Sequence, residues 1–249
     1  QARLHFFPGI RTTAWLERAL EDQCHTKLDE TKQGRELHEI LRENDPILVI
    51  GTLIKNKILG FLDKSLERPR ISRDEFRRVK RMVGEIHHSD AVLLNFHCLT
   101  HQLSDSQRRK LAQKILIGTR ERKLGSGLEA NAKKLAKALR SRRYKLPSKG
   151  YDLLSSTPRV LLYFNLIFSQ DGALRTQIKN FLYKYPTIRA KLPRAEIVAL
   201  GLTGLSDSKK ILDQVFRQII DRKVRTQPQI SRLARELVEK TRKLKIIKR

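Results

Sequence analysis

Residues 191–224 read KLPRAEIVALGLTGLSDSKKILDQVFRQIIDRKV, and their spacing sets the class of the whole chain. A short amphipathic stretch over residues 193–200 is broken by Gly201 and Gly204. Ser206 and Asp207 then open a second apolar stripe, Ile211, Leu212, Val215, Phe216 and Ile219, whose steps of three and four trace one helix face. Glycine frees the backbone for a tight reversal. A Ser-Asp start offers side-chain oxygens to the first N–H groups of the next helix. The spacing predicts two short helices hinged on glycines.

The same period extends outward in both directions. Thr12 or Thr13 is placed to cap a helix carrying Trp15, Leu16, Ala19 and Leu20. Asp45 and Pro46 supply a cap and a first-turn proline before Ile47, Ile50, Ile54, Ile58 and Phe61. A short strand over residues 47–50 is the alternative there. Ser72 and Glu75 form a capping box that reads into Phe76, Val79, Met82, Val83 and Ile86. Further helices are expected over residues 91–101 and from Ser104 or Ser106 to residue 117. Residues 118–127, with three glycines and four charges, read as the main exposed loop.

Beyond it, Leu128, Ala132, Leu135 and Leu139 make one stripe. Thr157 and Pro158 cap VLLYFNLIF, the most apolar run. Gly172 precedes a helix with Leu174, Ile178, Phe181 and Leu182. Thr226 caps a last helix, with Pro228 in its first turn and the stripe Ile230, Leu233, Leu237, Leu244. No alternating strand pattern and no fixed repeat is found. The expected fold is all-α, an irregular array of ten or more helices without significant sheet. Three regions are expected: residues 1–118, near neutral to mildly basic; the loop 119–127; and a basic helical region over 128–249.

Charge narrows the partner. The 249 residues hold 53 Lys and Arg against 26 Asp and Glu, a formal +27. Residues 1–50 are net −2 and 51–90 net +4, whereas 91–150 are +12 and 151–249 are +13. A one-sided surplus of this size is expected of a surface that binds a polyanion. Nucleic acid is the first expectation, with acidic lipid or protein second. No run of eighteen apolar residues exists, so no membrane span is expected. Two cysteines, Cys24 and Cys98, are too few for a disulfide framework. They suit the cytoplasm or an organelle with a reducing interior, not secretion. The first residue is Gln, as expected of a piece of a longer chain.

Catalytic chemistry is hard to find in this order of residues. Nucleotidyl transfer needs closely spaced carboxylates to hold divalent metal ions. The nearest pattern is Glu43-Asn44-Asp45, and Asp45 before Pro46 reads as a helix cap. Gly125, Ser126 and Gly127 lack the Lys-Ser/Thr and the preceding strand of a phosphate-binding loop. His97 and His101 share a helix face, with His87, His88 and Asp90 nearby, but Cys98 points off that face. They read as histidines at helix ends and on a polar face. No catalytic residue, metal set or cofactor is assigned.

The segment KLPRAEIVALGLTGLSDSKKILDQVFRQIIDRKVRTQPQISRLAREL resembles the C-terminal part of bacterial-type tRNA nucleotidyltransferases and poly(A) polymerases, the class II CCA-adding family. The matching positions are Leu192, Leu200, Gly201, Leu202, Gly204, Ile211, Leu212, Asp221, Val224 and Thr226. The likeness covers about residues 155–240. Three positions depart from the pattern: Leu205-Ser206 follow the second glycine, Arg222 replaces the usual Gly, and Gln227-Pro228-Gln229 replaces an acidic first turn. The family's catalytic head has no counterpart in these residues. The resemblance implies a helical body and tail that grips a folded RNA such as tRNA. Its partner would then be a catalytic head in the same or another chain.

Three clusters are expected to touch RNA. The first is Lys133, Lys134, Lys137, Arg140, Arg142 and Arg143. The second is the turn at Gly201 and Gly204 with Ser206, Lys209, Lys210 and Arg217, where helix N–H groups would meet a phosphate. The third is Arg222, Lys223 and Arg225. The alternatives are a free-standing basic RNA- or ribosome-associated scaffold, and a DNA-binding helix-turn-helix over residues 194–221.

Overall fold

Residues 91–100 and 160–167 are buried at every position, and the helices that carry them organise the first part of the molecule. The structure, a computed structural model, describes residues 9–22, 24, 29–67, 69–82, 84–199 and 205–247. Among these residues every regular element is helical, so the all-α class is observed. The chain divides into two units, Gln1–Lys133 with Arg159–Phe168, and Lys134–Pro158 with Ser169–Arg249.

The first unit holds α1 (Ile10–Glu21), α2 (Glu30–Leu41), α3 (Ile47–Lys55), α4 (Leu59–Leu62), α5 (Arg73–Met82), α6 (His88–Thr100) and α7 (Asp105–Ile115). The start of α8 (Thr119–Arg140) and all of α10 (Arg159–Phe168) complete it. α10 packs on α5 and α6, and α2 packs on α6 and α7. Several polar groups that enter this core are bonded, although Asn95 Oδ1 and His38 Nδ1 are buried without a partner among the described residues. Asn165 Nδ2 donates to the carbonyls of Leu161 and Ala132, Asn95 Nδ2 to that of Leu41, and the Tyr163 hydroxyl to that of Glu85. Each removes the cost of an unmade hydrogen bond, about 1–3 kcal/mol.

Several expected boundaries move, each for a local reason. α8 begins at Thr119, so residues 119–127 are helix and not a loop. Of the glycines there, Gly125 answers to packing. A Cβ on Gly125 would stand 2.5 Å from Leu116 Cδ1 and 3.2 Å from Leu93 Cδ2. The boundary between units accordingly falls inside α8, after Lys133. α1 starts at Ile10, which puts Thr12 and Thr13 inside it, and Trp15 is 72% exposed. Asp45 makes no cap but pairs with Lys80, and residues 47–50 are helical. α5 stops at Met82, before Ile86. The Thr157 hydroxyl donates back to the Leu153 carbonyl of the preceding helix and does not cap α10.

The second unit holds the end of α8, α9 (Pro147–Ser155), α11 (Gly172–Lys179), α12 (Tyr185–Ala190), α13 (Arg194–Ala199), α14 (Leu205–Ile220) and α15 (Gln227–Ile247). One π turn, Asn180–Lys184, joins α11 to α12. Its core gathers Leu192, Ile197, Ile211, Val215, Phe216, Ile220, Ala234 and Val238. Ala234 and Val238 are fully buried while Ile230, Leu233 and Leu237 are half-buried, so the inward face of α15 is centred one position beyond the expected stripe.

Among the described residues, no helix is long and apolar enough to cross a membrane.

Candidate nucleic-acid interface

The second unit holds 27 basic and 8 acidic residues, net +19. Where those few carboxylates point decides how much positive charge is left facing solvent. Six of the eight pair with a Lys or Arg of the same unit: Asp152 with Arg217, Asp171 with Arg140, Glu196 with Arg235, Asp207 with Lys210, Asp213 with Arg189, and Glu236 with Arg232. Asp221 turns to Ser148.

The first expected cluster is mixed in character. Lys133 belongs to the first unit and lies 2.7 Å from Glu129 one turn earlier. That hydrogen bond holds the Glu129 carboxyl below its ordinary range. Lys134 and Lys137 are exposed on α8 with no carboxylate partner among the described residues. Arg140 is fixed by Asp171 Oδ2, at 2.8 Å from Nε and 2.7 Å from Nη2. The other oxygen of Asp171 accepts from the N–H groups of Ala173 and Leu174 and caps α11. The Leu174 N–H first and Arg140 second hold its carboxyl below the usual range. Arg142 and Arg143 follow on an exposed 3-10 turn, with Arg143 5.5 Å from the centre of the Tyr144 ring.

The second cluster changes most. Gly201 and Gly204 lie outside the described residues, as does the side chain of Ser206. α14 starts at Leu205, so Ser206 and Asp207 stand inside its first turn and Lys209 and Lys210 in the second. The acid of that first turn, Asp207, is 3.9 Å from Lys210. Arg217 is paired, its Nη1 donating to Asp152 Oδ2 at 2.7 Å and tying α14 to α9. Lys209 stays exposed without a carboxylate partner among the described residues.

The third cluster is the cleanest cationic element. The α14–α15 connection carries one acid, Asp221, and its carboxylate accepts from the Ser148 N–H and hydroxyl at 2.8 and 2.7 Å. Arg222, Lys223 and Arg225 all face solvent, with no carboxylate partner among the described residues. Arg222 takes φ 58°, the left-handed region that favours glycine. The Lys223 N–H donates to the Gln218 carbonyl and the Arg222 N–H to that of Ile219, closing α14 in a Schellman motif. Gln229 Oε1 accepts from the N–H groups of Arg225 and Thr226, which starts α15.

The histidines belong to the first unit. His87 is the N-cap of α6 and accepts from the Ser89 N–H. His97 is buried and not on a polar face, its ring 4.7 Å from that of Phe164 and 5.2 Å from that of Phe168. Burial first, and His101 second, lower its pKa to about 4. Cys98 is buried as well, which pushes its thiol well above the ordinary value. Among the described residues, no group of three or more His, Cys, Asp or Glu side chains is placed to hold a metal ion.

Sequence reasoning missed the pairing of Arg217 with Asp152 and of Arg140 with Asp171, and the presence of Lys145 beside Arg140. Lys145 was legible only as one more charge. The carboxylates that select among these cations come from other helices. No family model matches the chain, and no curated protein or solved structure matches it either.

Proposed function

We propose that the chain is a non-catalytic RNA-binding helical region that grips the backbone of a folded RNA such as tRNA. The observation that carries this reading is the α14–α15 connection, where Asp221 is turned inward and Arg222, Lys223 and Arg225 face solvent together. Lys134, Lys137, Arg142 and Lys209 add exposed cations on the same unit. Uncompensated cations displace condensed counterions from a phosphate backbone, which is the main source of sequence-independent affinity. Aromatic residues are only 6% of the chain, so stacking on successive bases is not the principal mode. Contacts to phosphate, sugar and overall shape suit a folded RNA. In this reading the chain acts like the body and tail of a tRNA nucleotidyltransferase or poly(A) polymerase in a reducing compartment. A catalytic head in the same or another chain would perform the transfer.

Titration of labelled tRNA at several salt concentrations tests it. Log affinity should fall against log salt with a slope of roughly −4 to −8, for about five to nine phosphates. Reversing Arg222, Lys223 and Arg225 to Glu should weaken binding at least tenfold, and reversing Lys55 and Lys57 of the first unit should change it little. A shallow slope, or equal losses from both sets, overturns the proposal.

A further inference from the structure

Between the end of α8, the 3-10 turn after it and the first turns of α11 lies an open cavity of about 330 Å³. Its floor is apolar: Leu139 and Leu174 line it, and each is only 3% exposed. Its rim is cationic, with Arg140, Arg142 and Lys145 around it. The one carboxylate in the lining, Asp171, is fully engaged. One oxygen takes both Arg140 contacts and the other takes the Ala173 and Leu174 N–H groups. The cap of α11 is therefore filled, and any anion entering the cavity must be held by side chains. Arg142 and Lys145 are the two rim cations without a carboxylate partner among the described residues.

The two surfaces ask for different chemistry. A bare phosphate needs the rim and has no use for the floor. The volume sits at the lower end of the range of small-molecule sites, about 300–1,000 Å³, which suits one nucleotide better than an isolated anion. Arg140, locked through two nitrogens to one oxygen of Asp171, presents a fixed guanidinium plane. Such planes stack on unpaired bases in RNA recognition. Gln177, also in the lining, is exposed, and its side-chain amide has no partner among the described residues. It offers a donor and an acceptor to a base edge.

We infer that this cavity seats a single unpaired nucleotide of a bound RNA, with the base over Leu139 and Leu174 and its phosphate on Arg142 and Lys145. The inference rests on the RNA-binding reading and deepens it, since it gives a backbone-gripping surface one place that takes a splayed-out base.

The test uses the full chain at low salt. AMP and UMP, with inorganic phosphate and adenosine as controls, are titrated by calorimetry, and labelled tRNA is titrated in parallel. One saturable mononucleotide site is expected, at least tenfold tighter than inorganic phosphate. R142E/K145E should weaken AMP at least tenfold, as should A173W, which fills the cavity from the exposed Ala173. Circular dichroism of both variants checks that they keep the helical fold. Inorganic phosphate binding as well as AMP, or AMP binding unchanged in both variants, overturns the nucleotide site. Wild-type protein that binds tRNA but not AMP overturns this inference and leaves the RNA reading standing. AMP binding without tRNA binding sinks the RNA reading and the strand-borne nucleotide with it.

Discussion

Asp221, at the end of α14, caps α9 from 73 residues away: its two oxygens accept from the N–H and the hydroxyl of Ser148. α9 has no side-chain cap of its own, because the residue before it is Leu146. The first N–H groups of a helix have no partner inside it. A carboxylate there also meets the positive end of the helix dipole. The same contact withdraws the only acid of the connection from Arg222, Lys223 and Arg225. One pair thus joins two helices and leaves the loop positive.

Asp221→Ala should therefore destabilise the protein by about 1–3 kcal/mol, the range for a lost cap plus an unmet hydrogen bond. Ser148→Ala, which removes one of the two contacts, should cost about 1 kcal/mol. Denaturant unfolding of both variants and the double variant measures the coupling. Additive losses would show that the pair does not act together.

Arg222 and Lys57 are the two described non-glycine residues at positive φ, 58° and 56°. Both occupy the position after a helix end where glycine carries no steric cost, and replacing either by Gly should stabilise by about 0.5–1 kcal/mol. The two should separate in binding. Arg222→Gly removes a cation from the proposed RNA surface and lowers tRNA affinity, whereas Lys57→Gly leaves it unchanged. Equal affinities for the two variants would count against that surface.

His97 gives a pH signature. Its folded pKa of about 4 lies below the ordinary 6.5, so between these values the unfolded chain binds a proton that the folded chain does not. Stability should be highest above pH 6.5 and fall as pH drops through that window, by about 3 kcal/mol in all. His101, Glu129 and Arg108 are the charged neighbours that set the remainder. His97→Leu should flatten this part of the profile in thermal melts run from pH 7 to pH 4. An unchanged profile assigns the dependence elsewhere.

Gly125→Ala should destabilise by about 1–3 kcal/mol, because the added methyl meets Leu116 Cδ1 at 2.5 Å in a packed core. The gain in helix propensity, about 1 kcal/mol, works against this and does not cancel it. Gly127→Ala is the control. Its nearest neighbour is the Asn131 side-chain amide at 3.2 Å, which can move aside, so it should be neutral or stabilising. Chemical unfolding of the pair decides, and a stabilised Gly125→Ala would remove the close-approach reading of α8.

The helical class was legible because apolar steps of three and four recur through most of the sequence, and burial of Ile211, Val215 and Phe216 follows that period. Gly125 was not legible as a packing residue. A glycine that allows a bend and one that allows two helices to touch look alike until the partner, Leu116, is in place. Arg217 and Arg140 read as free cations because their carboxylates, Asp152 and Asp171, lie 65 and 31 residues away. His97 read as polar-face histidine because α6 has residues 91–100 buried on every side, and period alone cannot mark a helix without a wet face.

The place of α10 in the chain carries a consequence for synthesis. Eight consecutive buried residues, 160–167, complete the first unit, yet they follow the segment Lys134–Pro158 that belongs to the second. On the ribosome the seat on α5 and α6 stands open until residue 168 has emerged. At about 5–20 residues per second, that leaves an apolar slot uncovered for about 2–7 s after residue 133. During that interval the nascent chain offers a greasy surface to chaperones and to its neighbours on the same polysome. Slowing translation between residues 134 and 158 would lengthen the exposure, and a fragment ending near residue 133 would never close it.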